Sequence, residues 1–119
     1  MRGLLLVAAS VALIGAVDVA KALSANEMFS GCKAFVDGQM RTSQLGAMGN
    51  FCSGVLHGIA GMSKLLPLEL QSCPPAASNA EQLARVALKY IEAKPQRMHE
   101  DFRLLAVEAF HQAWPCTSQ

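Results

Sequence analysis

The sequence predicts an all-α fold, a small four-helix bundle stapled by two disulfides. Three observations predict it. Apolar residues recur at i, i+3, i+4, i+7 spacing between recognisable capping signals. Strand signals are weak: β-branched residues are sparse, period-2 alternation is absent and alanine is abundant. The chain of 119 residues carries four cysteines, an even count in what reads as one small domain.

The first 22 residues read as a leader. Arg2 supplies a positive n-region, Leu4 to Val17 is an apolar run, and Ala20-Lys21-Ala22 places small residues at −3 and −1 of a cleavage site. The run is shorter than the ~20 residues that span a bilayer, and Asp18 follows it, so a stable membrane anchor is not expected. The expected mature domain is therefore 23–119.

Ser24-Ala25-Asn26-Glu27 is a capping box that opens the first helix. Met28, Cys32, Phe35 and Val36 give that helix one buried face, and Asp37-Gly38 ends it, with Gly38 as a left-handed cap. Gln39 to Gln44 is a polar loop. Thr42 or Ser43 caps the second helix, expected to run to about Leu65 and to stop before Pro67.

This central helix contains Phe-Cys-Ser-Gly-Val-Leu-His-Gly-Ile-Ala-Gly, residues 51–61. Gly54, Gly58 and Gly61 share one face, where another backbone is able to approach closely. Close packing inside the bundle is the favoured expectation for these structural glycines, and a flat surface for self-association is the alternative. Leu68 to Ala77 reads as a loop pinned by Cys73 and stiffened by Pro74 and Pro75. The four leucines of Lys64-Leu-Leu-Pro-Leu-Glu-Leu are expected to tuck under the bundle; a contact site is the alternative.

Ser78-Asn79-Ala80-Glu81 reads as a second capping box. Leu83, Val86, Ala87, Tyr90 and Ile91 then form an amphipathic stripe, and Lys94-Pro95 breaks the helix. Pro95 suits the first position of the last helix, whose stripe is Phe102, Leu105, Ala106, Ala109, Phe110 and Ala113.

Cys32, Cys52, Cys73 and Cys116 allow three pairings. An antiparallel hairpin of the first two helices would level Cys32 with Cys52 and leave Cys73 for Cys116. That pairing is favoured, with the two loops contributing about 3 and 4 kcal/mol on the chain-entropy model. No Cys-x-x-Cys pair occurs, so a metal site is not expected.

The formal net charge of +1 argues against nucleic acid, which rewards a clustered basic surface. Catalytic residues do not assemble either. His57 reads as a half-buried helix histidine with a satisfied ring. His99-Glu100-Asp101 opens the last helix, where acidic residues suit the helix dipole. Glu108 and His111 stand three apart, too weak a pattern for a metal. No nucleophile elbow, phosphate loop or His-Glu-x-x-His is present.

Taken together, Cys32, Phe51-Cys52-Ser53-Gly54-Val55-Leu56-His57-Gly58, Ser72-Cys73-Pro74, Lys89-Tyr90-Ile91, Lys94-Pro95 and the closing Ala113-Trp114-Pro115-Cys116 resemble the type VI secretion amidase immunity proteins, the Tai family, over about residues 28 to 116. The resemblance implies an all-helical periplasmic protein, commonly a homodimer, that binds a peptidoglycan amidase and blocks its cleft. It would be an inhibitor and not an enzyme, with no cofactor. Gly38 to Gln44 and Leu66 to Ala77 are the candidate inhibitory loops. The rival reading is a small periplasmic acid-stress chaperone, or a structural protein with no amidase target.

Overall fold

The computed structural model describes residues 23–117, so the leader expected over residues 1–22 lies outside the described residues. Within them the chain forms four α-helices: α1 (Ala25–Val36), α2 (Ser43–Met62), α3 (Ala80–Glu92) and α4 (Phe102–Ala113). Short 3₁₀ turns at Ser63–Leu65, Leu68–Leu70 and Pro95–Arg97 fill the connections. Among the described residues no strand forms, only two isolated bridges, Ser24 with Asp101 and Ser72 with Pro115.

The capping box of α1 is complete: the Ser24 hydroxyl accepts from the Glu27 N–H while the Glu27 carboxylate accepts from the Ser24 N–H. Gly38 has φ +66°, the left-handed conformation the Asp-Gly pair anticipates. Thr42 caps α2 through the Leu45 N–H.

Three boundaries differ from the sequence reading. α2 ends at Met62 and tightens into a 3₁₀ turn, where the buried Ser63 hydroxyl donates back to the Ala60 carbonyl (2.9 Å). The N-cap of α3 is Asn79, whose carbonyl oxygen accepts from the Gln82 N–H (2.8 Å); Ser78 is one residue outside, and Glu81 pairs instead with Arg85. α4 begins at Phe102 behind an Asp101 cap, and Pro95 opens its own 3₁₀ turn. A side chain able to cap, at Asp101, sits nearer the apolar stripe than the proline does.

The core is the inner face of all four helices. Phe102, Phe110, Met28, Leu56, Leu83, Ile91 and Leu105 are its largest fully buried side chains. Phe110 also meets Trp114 ring to ring at 5.7 Å. The N-terminal segment is tied to the start of α4: the Phe102 N–H donates to the Leu23 carbonyl and the Ala25 N–H to the Glu100 carbonyl, both at 2.9 Å.

Cys32 pairs with Cys52 and Cys73 with Cys116, with Cα separations of 5.4 and 5.1 Å. The first bridge crosses the α1–α2 contact inside the core. The second ties the loop after α2 to the segment after α4.

Candidate protein-contact surface

Helix α2 carries no Asp, Glu, Lys or Arg over its 20 residues, and His57 is its one titratable side chain. Its inward face contributes Gly49, Cys52 and Leu56 to the core. Its outward face displays Phe51, Gly54, Gly58, Gly61 and Met62 to solvent. The expected close packing at Gly54, Gly58 and Gly61 is not what the structure has, since a Cβ built at each meets nothing within 4 Å. The glycines that bring helices together are Gly31 and Gly49. A Cβ at Gly31 would lie 2.5 Å from the Cβ of Met48, and one at Gly49 3.3 Å from the Gly31 carbonyl oxygen. The sequence holds no signal that singles out this pair except their position one residue before Cys32 and three before Cys52.

The loop that follows α2 exposes two of its leucines, beside the exposed Lys64 and Glu69. Leu65 and Leu68 are 83% and 82% exposed, while Leu66 and Leu70 are half-buried. The expected tucking of the leucines therefore holds for one pair and fails for the other. The loop is held at many points. The Gln71 side-chain amide donates to the carbonyls of Lys64 (3.1 Å) and Leu66 (2.9 Å). His111 Nδ1 donates to the Gln71 carbonyl (2.6 Å), the Cys73 N–H donates to the Trp114 carbonyl (2.8 Å), and Ser72 is buried beside the Cys73–Cys116 bridge. These contacts fix the backbone on either side of the two leucines. Solvent-facing leucines of this degree, on a fixed loop, leave apolar surface that water solvates poorly and a protein partner covers favourably.

The other loop, Gly38 to Gln44, is exposed throughout and largely polar. Its Met40 folds back, with Sδ against Gly49.

The residues with chemistry-bearing side chains lie apart. His57 is exposed on α2, contrary to the half-buried reading, because its whole side of the helix faces out. His99 is exposed as well. Glu108 and His111 have separate partners: His111 holds the leucine loop, and Glu108 accepts from Arg97 Nη1 (2.6 Å) and the Tyr90 hydroxyl (2.7 Å). Among the described residues no group of His, Cys, Asp and Glu is placed to hold a metal ion.

Arg97 is the centre of a network that sequence reasoning missed. Its guanidinium grips Glu100 with Nε and Nη2 (2.8 and 2.7 Å) and Glu108 with Nη1 and Nη2 (2.6 and 3.1 Å). The network ties the Pro95–Arg97 turn to α3 and α4. Hydrogen bonds from Arg97 hold the Glu100 and Glu108 carboxyls below their ordinary range, with Tyr90 adding to the effect at Glu108. Burial, then the hydrogen bond to Glu108, pushes the Tyr90 phenol up. Lys94 stacks over the Tyr90 ring at 4.2 Å. Between α3 and α4 an open furrow of about 360 Å³ runs past Val86, Lys89, Ala93, Ala109 and Gln112. These groups form a structural clamp: Arg97, Glu100 and Glu108 satisfy one another.

The arrangement is that of a small, rigid binding protein: a stapled helical scaffold, one uncharged face, and a fixed loop with two displayed leucines. The family model of the Rap1a immunity proteins matches residues 24–116, and the chain belongs to that family, one of type VI secretion immunity proteins. No curated protein and no solved structure matches the chain. The expected family is thus met at the level of type VI immunity, and the match does not reach the Tai amidase subtype.

Proposed function

We propose that the chain is exported to the periplasm and there occludes a peptidoglycan amidase delivered by type VI secretion. Membership of an immunity family implies a protein effector as partner. The observation that carries the reading is the pair Leu65 and Leu68, held out on a loop fixed by a disulfide and by side-chain hydrogen bonds. A contact already in its bound shape loses little conformational freedom on association. Of the two candidate loops, Gly38 to Gln44 offers far less apolar surface.

Export fits the two disulfides, which persist in an oxidising compartment. Cleavage after Ala22 keeps Leu23 and Ser24, whose backbone and capping contacts anchor the N-terminus. The face of α2 bearing Phe51, Gly58 and Met62 suits a second copy, because it is apolar and holds no Asp, Glu, Lys or Arg.

The mature chain from Leu23, immobilised with its disulfides formed, is passed over envelope and secreted extracts of the source organism and its competitors. The expected result is one-to-one retention of a small cysteine–histidine amidase, whose hydrolysis of cell-wall peptide then stops at an equimolar dose. The double variant Leu65→Glu/Leu68→Glu is expected to weaken that complex about 30-fold or more, since central apolar anchors commonly carry ~2 kcal/mol or more. An amidase that is retained but stays fully active would sink the reading of cleft occlusion.

A further inference from the structure

The two disulfides sit in opposite surroundings. Cys32 and Cys52 are both 0% exposed, enclosed by the core between α1 and α2. Cys73 is exposed and Cys116 half-buried, at the edge of the fold where the leucine loop meets the segment after α4. Disulfide exchange requires a thiolate to reach a sulfur atom, so access separates the two bridges kinetically. The inner one is reached only when helices part. The outer one lies at the surface, where Cys73 is open to solvent.

We propose that Cys73–Cys116 is an exchange site for the dithiol of a Cys-x-x-Cys oxidoreductase, and that opening it unlatches the leucine loop while Cys32–Cys52 keeps the bundle closed. A thiolate of the dithiol attacks Cys73 Sγ. The Cys73–Cys116 bond breaks, and its electron pair leaves on Cys116 Sγ, which takes up a proton. The second thiol of the reductant, losing its proton, attacks the mixed disulfide and releases Cys73 as a thiol. The protein bridge gains two electrons, and the dithiol is oxidised to a disulfide.

What remains around the opened bridge is non-covalent: the Gln71 amide on the Lys64 and Leu66 carbonyls, the Ser72–Pro115 bridge, and two further hydrogen bonds. The Cys73 N–H still faces the Trp114 carbonyl, and His111 the Gln71 carbonyl. The covalent closure across 43 residues is gone. The backbone around Leu65 and Leu68 then samples more conformations, and a contact surface that was fixed becomes one that must be ordered on binding. The consequence for partner binding rests on the contact-loop reading above; the exchange site stands without it.

The test treats the folded, oxidised chain with dithiothreitol or with reduced thioredoxin, traps thiols with iodoacetamide at intervals, and maps the alkylated peptides. Both reagents are expected to label Cys73 and Cys116 at least tenfold faster than Cys32 and Cys52. Hydrogen exchange on the selectively opened protein is expected to quicken at least tenfold at the amides of Leu70, Gln71 and Cys73, with the amides of α1 and α2 still protected. The double variant Cys73→Ser/Cys116→Ser, which keeps the inner bridge, is expected to reproduce the Leu70 and Gln71 rates. Equal labelling of the two bridges, earlier labelling of Cys32 and Cys52, or opening by dithiothreitol but not by thioredoxin would overturn the exchange site. Unchanged loop amides would overturn the latch. If the loop loosens as expected but Leu65→Glu/Leu68→Glu still binds its amidase normally, the contact-loop reading fails and the exchange site survives.

Discussion

Two glycines decide how closely the first two helices approach, and three others mark where nothing approaches at all. Gly31 faces Met48 so tightly that an added methyl would lie 2.9 Å from the Met48 carbonyl carbon, backbone that cannot swing aside. Gly31→Ala is therefore expected to lower stability in urea denaturation by about 1–3 kcal/mol, the usual cost of overpacking. Gly49→Ala is expected to cost less, because the nearest atom is Met40 Sδ, the end of a flexible side chain. Gly58→Ala is expected to do the opposite. It sits in open space within α2, so alanine removes the glycine penalty and raises stability by about 0.5–1 kcal/mol. A loss of stability in Gly58→Ala would contradict the outward placement of that face. The spacing of Gly54, Gly58 and Gly61 was legible in the sequence, but its direction was not. Without Asp, Glu, Lys or Arg on α2 the outside is marked weakly, by Asn50 and His57 seven apart, and Phe51, Val55 and Ile59 read as core as readily as Leu56 does. Only the packed structure separates them.

At the scale of elements, α3 was the most legible helix, because Arg85, Lys89 and Glu92 oppose a continuous apolar stripe. The start of α4 was misread because Pro95 is a strong local signal, whereas the Arg97 clamp that claims the Pro95–Arg97 turn joins residues eleven apart and leaves no periodic trace. That clamp has a pH signature. Glu100 and Glu108 have native pKa values below their ordinary ones, so their contribution is complete above the unfolded range near ~4.3 and fades as pH falls through the lowered native values. Arg97→Met removes the partner that lowers them. The variant is expected to melt at a lower temperature than the wild type at pH 7, with the difference narrowing steadily below about pH 4. A gap that stayed constant to pH 3 would assign the effect to lost packing by the Arg97 side chain instead of to its charge.

For the whole molecule, the disulfide pairing followed from a hairpin of α1 and α2 once the two helices were placed, and it fixes how the fold answers acid. Asp101, Glu100 and Glu108 all have lowered pKa values, the first chiefly through Arg103 and the others chiefly through Arg97, so each withdraws support as it becomes protonated. They cluster at the junction between the Pro95–Arg97 turn and α4, where the N-terminal segment is also held. Acid therefore acts on one end of the bundle. Away from that end the core is closed by apolar packing, by hydrogen bonds to backbone carbonyls and by the two bridges: Cys32–Cys52 holds α1 to α2, and Cys73–Cys116 holds the loop to the end of α4. A hydrophobic dye is expected to bind the oxidised protein nearly as weakly at pH 3 as at pH 7, with a baseline set by Phe51, Leu65 and Leu68, which are exposed at both. Reduction of both bridges should uncouple the helices once the carboxylates are protonated, and dye binding at pH 3 should then rise several-fold. A rise of that size in the oxidised protein would instead mark a chain built to open in acid, which is the behaviour of a stress chaperone and not of a stapled inhibitor.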